Sequence, residues 1–184
     1  MYEVEYKVEI TEEEKSKLEI LFKESGYEIK SPVVQNDYYI EAKESPVGGY
    51  DLKRYRDEGN RIFYTEKIWE EVEGGKIRKE VEHLVEMEVF QTELPKYPNT
   101  LKIQKTRQTF SGKYNDNDIH IDMDSIKFDH SPSVRYFIEA EVLSSDKNSV
   151  MDLKKSLIEF IKNSLGKSEL VESPGMFNMA FNKL

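Results

Sequence analysis

Glu3, Glu5 and Lys7 occupy alternate positions near the start of the chain, and Tyr2, Val4, Tyr6, Val8 and Ile10 fill the positions between them. Alternation at period two predicts a half-buried strand, with two carboxylates and an ammonium on one face. The arrangement recurs. A basic set (Lys7, Arg54, Arg56, Lys67, Arg78, Lys105 and Arg107) and an acidic set (Glu3, Glu5, Glu80, Glu82, Asp122, Asp124, Glu139 and Glu141) project from the middles of predicted strands. The opposite faces of those strands are mostly apolar or aromatic. Carboxylates in number suit Mg²⁺ or Mn²⁺, hard cations that prefer oxygen ligands. Clustered Arg and Lys suit phosphate oxygens, and Arg can grip two at once. Together the two sets describe a site for a metal-bound polyphosphate.

The elements that position these groups follow in order. Thr11 and Glu14 form a capping box that starts a helix running to about Ser25, with Leu18, Leu21 and Phe22 as its stripe and Gly26 closing it. Strands are expected over 33–42, 51–57, 61–73, 77–85, 100–110, 118–124 and 134–143, with turns at Glu58-Gly59-Asn60, Gly74-Gly75 and Gly112. A short helix is expected over 85–94, ended by Pro95. A final helix over about 148–165 is capped by Ser145 or Asp146. The residues after it are expected to pack back onto the body.

About eight hairpin-connected strands with few helices predict a mainly β (α+β) fold, a closed eight-stranded antiparallel β-barrel with flanking helices. An open sheet with helices on one face is the competing arrangement. In a closed barrel whose apolar faces pack outward against helices, the charged faces line the lumen. Burying so many charges has no stability rationale, because desolvation is costly even for paired ions. It makes sense for a wet lumen that holds a highly charged ligand. An exposed sheet face with cross-strand Lys–Glu pairs gives the same alternation and stays open at this point.

Composition bounds the function classes. The chain has 184 residues, 38% hydrophobic and 34% charged, with a net charge of −9, which argues against a nucleic-acid-coating protein. There is no cysteine and there are only three histidines, so disulfides, thiolate sites and a His-rich zinc site are not expected. No signal pattern or membrane-length apolar run is present, so a cytoplasmic protein with no membrane partner is expected, in one domain spanning 1–184.

At this point the residues resemble a known family. Glu3-Val4-Glu5-Tyr6-Lys7 is similar to the ExExK signature of the CYTH superfamily, the triphosphate tunnel metalloenzymes. Gln35-Asn36-Asp37-Tyr38-Tyr39, Leu52-Lys53-Arg54-Tyr55-Arg56, Thr65-Glu66-Lys67, Arg78-Lys79-Glu80-Val81-Glu82, Lys105-Thr106-Arg107 and Phe137-Ile138-Glu139-Ala140-Glu141 resemble, in order, later motifs of its class IV adenylyl cyclase branch. Asp122 stands where a strand aspartate is expected. Ser133-Val134-Arg135-Tyr136 lacks the glycine that often precedes the closing ExE, and Ser173-Pro174 departs from the Ser-Tyr of the cyclase branch.

The resemblance implies an eight-stranded tunnel, Mg²⁺ or Mn²⁺ dependence and a triphosphate substrate such as ATP, tripolyphosphate or thiamine triphosphate. It implies Glu3, Glu5, Glu139 and Glu141 as leading metal ligands, with Glu80 and Glu82 as further acidic candidates and Asp122 and Asp124 as additional ones. Arg54, Arg56, Lys67, Arg78, Lys105 and Arg107 would hold phosphates. Lys7 would be catalytic, clamping the scissile phosphate or acting as a base with its pKa lowered by neighbouring cations. A homodimer is expected from the resemblance alone. Three functions compete: a class IV adenylyl cyclase making cyclic AMP and pyrophosphate, a triphosphate phosphohydrolase, and a non-catalytic polyphosphate or nucleotide sensor. Cyclisation needs a nucleoside pocket, for which Tyr38, Tyr39 and Tyr50 are the stacking candidates.

Overall fold

The structure is a computed structural model that describes residues 2–73 and 75–182. Its elements in chain order are β1 (Tyr2–Ile10), α1 (Glu12–Glu24), β2 (Glu28–Ile29), β3 (Val33–Glu44), β4 (Tyr50–Asp57), β5 (Ile62–Val72), β6 (Gly75–Val85), α2 (Met87–Glu93), β7 (Leu101–Tyr114), β8 (Asn117–Ile126), β9 (Arg135–Ser144), α3 (Val150–Leu165) and α4 (Met176–Phe181). Every strand pairing is antiparallel. The order β7-β3-β4-β5-β6-β1-β9-β8 closes on itself through β7–β8, so eight strands form a ring. The two-residue β2 adds to β7 outside that ring.

Alternation decides which face is which. Val4, Tyr6, Val8 and Ile10 of β1 point outward with Ile119, Ile121 and Met123 of β8 and Ile138, Ala140 and Val142 of β9. They pack against Leu18 and Phe22 of α1 and Leu157, Phe160 and Ile161 of α3. Phe22 stacks on Phe160 at 5.9 Å. Because the apolar face is used up outside, the odd-numbered charges of β1 and β9 must point inward. The barrel wins over the open sheet for this reason, and burial of this kind contributes roughly 25 cal/mol per Å² of apolar surface. The packing is one-sided: Ile68 and Val81, on the outer faces of β5 and β6, are exposed.

The seams are unequal. β1 and β9 pair along nine positions, whereas β1 and β6 pair only as Tyr2–Lys79 and Glu3–Arg78. Beyond Glu3 the other edge of β1 meets the C-terminal segment, where the Ser173 N–H donates to the Lys7 carbonyl at 2.8 Å. That segment then enters the barrel as α4. Met176, Phe177 and Met179 pack among Tyr39, Ile103, Ile126, Phe128 and Phe137.

Several boundaries differ from the sequence expectation. Gly112 is not in a turn. It lies inside β7, and the hairpin turns at Asn115 and Asp116, both with positive φ. Glycine is needed at 112 because a Cβ there would lie 2.5 Å from the Tyr27 ring. The capping box of α1 forms as expected. Asp146, not Ser145, accepts the Asn148 N–H, and a 3₁₀ turn over Lys147–Ser149 precedes α3. Of the turn expected at Gly74-Gly75, Gly74 lies outside the described residues, and Gly75 opens β6.

Candidate functional site

Strand register delivers the charged side chains to one place. Glu5 lies opposite Glu141, and Lys7 opposite Glu139, across β1–β9. Lys67 lies opposite Glu80 across β5–β6, and Arg107 opposite Asp124 across β7–β8. Arg54 and Arg56 reach the same lumen from β4. The result is a cavity of about 420 Å³ lined by Glu3, Glu5, Lys7, Arg54, Arg56, Lys67, Arg78, Glu80, Glu82, Lys105, Arg107, Glu139 and Glu141, with α4 contributing Gly175 to Asn178.

The acidic groups divide by partner. Glu5 accepts from Arg78 at 2.9 Å, and Glu80 pairs with Lys67 at 2.5 Å. Glu82 is more exposed and accepts from the Thr65 hydroxyl at 2.8 Å. Glu3, Glu139 and Glu141 can bring one oxygen each within 4.8 Å of one another. Placing a carboxylate directly opposite another, as at Glu5 and Glu141, is unfavourable. Burial, then Glu139, Asp122 and Glu5, push Glu141 up to about 7 against Lys67. Burial also raises Glu3, and the pull of Lys67 does not offset it. Burial opposes the charge of Glu139, but Lys7, Arg107 and Lys67 bring it down to about 2. Converging oxygen ligands with excess negative charge fit a divalent cation, whose charge would relieve the repulsion.

Lys7 forms an ion pair with Glu139. Burial works against its charge, yet Glu139, Glu5 and Asp124 hold it above the ordinary lysine value. The sequence reading expected neighbouring cations to lower it. In the fold, carboxylates surround it, so Lys7 is an ammonium.

The basic side is backed by a second layer. Asp37, only 1% exposed, accepts from Arg56 Nε at 2.7 Å and Nη2 at 3.0 Å, and from Arg54 Nη1 at 3.3 Å. Asp124, also 1% exposed, accepts from Arg107 Nε and Nη2 at 2.7 Å each, while Asp122 pairs with Arg107 Nη1. Neither Asp122 nor Asp124 lines the cavity. They stand behind Arg107, and although Asp122 lies opposite Glu139 across β8–β9, neither belongs to the three converging carboxylates. Lys105 sits between Asp124 at 3.3 Å and Asp37 at 3.9 Å. Burial, Arg107 and Arg56 push it down to about 7 despite those carboxylates. Arg54 Nε is buried without a hydrogen-bond partner among the described residues, although Arg54 lines the cavity. An orphaned guanidinium donor beside a cavity is a place for an anion.

Asp37, Thr65 and Trp69 were not singled out as site residues from sequence. Asp37 shares its face with Gln35 and Tyr39 and stands in the 35–39 segment that carries the family resemblance, and both signals were available. Trp69 carries Arg78 over its ring at 4.5 Å and Lys76 at 4.6 Å. The tyrosines offered for base stacking are otherwise engaged. Phe177 packs on Tyr39 and on Tyr50 at 5.4 Å each, and Tyr38 packs on Phe90 of α2 at 5.5 Å.

The CYTH domain family matches residues 1–173. Among solved structures, the PH1819 protein of Pyrococcus horikoshii OT3 is similar at 20% identity over 100% of both chains, with a TM-score of 0.69. A candidate adenylate cyclase from Vibrio parahaemolyticus is 12% identical over 99% of this chain and 98% of its own, with a TM-score of 0.63. A candidate adenylyl cyclase from Hippeastrum, described as having a dominant triphosphatase activity, is 13% identical over 100% of this chain and 96% of its own, with a TM-score of 0.60. At these identities the likeness establishes the fold. No curated protein matches the sequence. Among the described residues no helix is long and apolar enough to cross a membrane.

Proposed function

The chain belongs to the CYTH domain family, whose members process triphosphates with divalent metals, and from that premise we propose that it is a metal-dependent triphosphate phosphohydrolase. One observation carries the reading: a cavity with three converging carboxylates and, lining the same space, Arg54, whose buried Nε has no hydrogen-bond partner among the described residues. Glu3, Glu139 and Glu141 would hold Mg²⁺ or Mn²⁺. A bound divalent cation supplies charge to phosphate oxygens and lowers the pKa of water. Arg54, Arg56, Arg107 and Lys105 grip the phosphate chain, and Lys67 and Arg78 complete the cationic wall. Glu80 and Glu5 hold those last two in place. Lys7, fixed as an ammonium, faces the oxygen on which charge develops. Water adds to the terminal phosphorus, the bridging P–O bond breaks, and orthophosphate and the shortened diphosphate leave.

What favours hydrolysis over cyclisation is the state of the aromatic candidates. Phe177 packs obliquely on Tyr39 and edge-on to Tyr50, and Phe90 obliquely on Tyr38, so each ring already seats a helix, and a base at Tyr39 or Tyr50 would have to share the cavity with α4. Phosphorus NMR with tripolyphosphate or ATP, with Mg²⁺ or Mn²⁺ and a metal-free control, tests the reading. Orthophosphate formed only with metal, and tripolyphosphate preferred, is the expected result. Cyclic AMP and pyrophosphate from ATP would replace the proposal with the class IV cyclase reading. Tight binding without turnover would leave a sensor.

A further inference from the structure

The phosphate-facing arginines are not free-standing. Arg54 and Arg56 lie on β4 and line the cavity, whereas Asp37 on β3 does not line it. The register places Asp37 directly opposite Arg56, and Tyr39 opposite Arg54. One carboxylate therefore sits behind both guanidinium groups. Its two oxygens take Nε and Nη2 of Arg56 side-on and one Nη of Arg54. Asp37 leaves Arg56 Nη1 and Arg54 Nη2 untaken, and Arg54 Nη2 lies 3.9 Å from Glu80 and 3.8 Å from Glu82, both of which line the cavity. Nζ of Lys105 on β7 lies 3.9 Å from the same Asp37 oxygen and 3.3 Å from Asp124 on β8.

We infer that Asp37 is a positioning residue for triphosphate binding: it aims the Arg54 and Arg56 forks, and through them sets where the phosphate oxygens sit. The inference rests on the functional reading above and adds a residue to it. Physical chemistry makes the claim sharp. A carboxylate that merely neutralised the cluster would oppose anion binding, so its removal would tighten binding by like-for-like Coulomb reasoning. A carboxylate that aims the forks acts in the opposite direction. Bidentate geometry is what makes an arginine a phosphate ligand and not a diffuse charge. In Asp37→Asn the amide –NH₂ would confront an arginine N–H, donor against donor, and the fork would have to swing away.

The experiment is calorimetric titration of metal-free protein with inorganic tripolyphosphate, with the unfolding midpoint recorded for every variant. Asp37→Asn is expected to weaken binding at least tenfold although it removes a negative charge beside the site. On an Arg56→Ala background the same change is expected to cost less than it does in the wild type, because only the Arg54 fork is left for Asp37 to aim. Unchanged or tighter binding by a folded Asp37→Asn overturns the positioning role. Where Asp37→Asn does not fold, Arg56→Lys decides, since it keeps the charge and loses the fork. A loss of tenfold or more supports the role, and wild-type affinity overturns it. Failure of the wild-type protein itself to bind tripolyphosphate removes the functional reading and this role with it, and differs visibly from failure of a variant alone.

Discussion

Lys7 and Glu139 face each other across β1–β9 and form an ion pair inside the barrel. Every group that raises the pKa of Lys7 is a carboxylate, so it carries its charge throughout the working pH range. An ammonium in that position stabilises developing negative charge and does not accept a proton. Lys7→Met is therefore expected to lower kcat by about 100-fold, the scale of one lost electrostatic donor. Lys7→Arg keeps the cation and is expected to retain more activity than Lys7→Met. Equal loss in the two variants, by steady-state kinetics, would mean that Lys7 acts as a base.

Glu141 offers a second test, because its charge is unwelcome in the metal-free protein. Its folded pKa is about 7, above the ordinary value of 4.5. Between those values the folded state binds more protons than the unfolded chain, so stability falls as pH rises through that window. Relative to Glu141→Gln, whose Lys105 contributes alike, the metal-free wild type is expected to lose melting temperature between pH 6 and pH 8, and added Mg²⁺ should recover the difference. Glu141→Gln should keep the fold and lose metal-dependent turnover by at least 100-fold. Thermal melts with and without metal check the first part, and phosphate release checks the second.

The reach of sequence reading is visible in three residues. Glu139 was legible because strand alternation alone fixes its face, and the apolar partners Ile138 and Ala140 leave it only the lumen. Asp124 was legible as inward-facing but not as standing behind Arg107, which depends on the β7–β8 register. Asp37 escaped as a site residue because the guanidinium groups it holds are 17 and 19 positions away, on a neighbouring strand. Face is a local property of two-residue periodicity, whereas partner is set by register between strands. The entry of α4 into the barrel was hidden for a related reason. An apolar tail says that it must be buried, not where.

Gly112 supplies a packing test independent of catalysis. In a strand interior, Ala is ordinarily favoured over Gly by about 0.5–1 kcal/mol. Here the added Cβ would meet the Tyr27 ring at 2.5 Å, and that ring is wedged against Phe22 and Phe160. Gly112→Ala is expected to destabilise the protein by about 2 kcal/mol, within the range for overpacking. Tyr27→Leu in the same chain should recover part of the loss. Urea unfolding of the single and double variants measures both.

Lys105 makes the last prediction, one of proton linkage. Burial and the neighbouring Arg107 and Arg56 push it to about 7 from an ordinary 10.5, so at pH 8 the free protein carries it mostly neutral. The unfolded chain binds that proton over the whole window between the two values. Stability from this group therefore rises with pH from about 7 to the ordinary lysine value. A polyphosphate in the cavity adds negative charge beside Lys105 and favours its ammonium form. Binding at pH 8 should thus take up close to one more proton in wild type than in Lys105→Met. Calorimetry of tripolyphosphate binding to metal-free protein, in Tris and in a buffer of low ionisation enthalpy, reads this directly. Protons drawn from Tris make the observed heat less exothermic than in the second buffer, and the gap should shrink in Lys105→Met. The variant comparison is needed because the ligand has ionisable oxygens of its own, which contribute alike to both proteins. An equal gap in the two would place Lys105 outside the phosphate grip and leave Arg54, Arg56 and Arg107 to supply it.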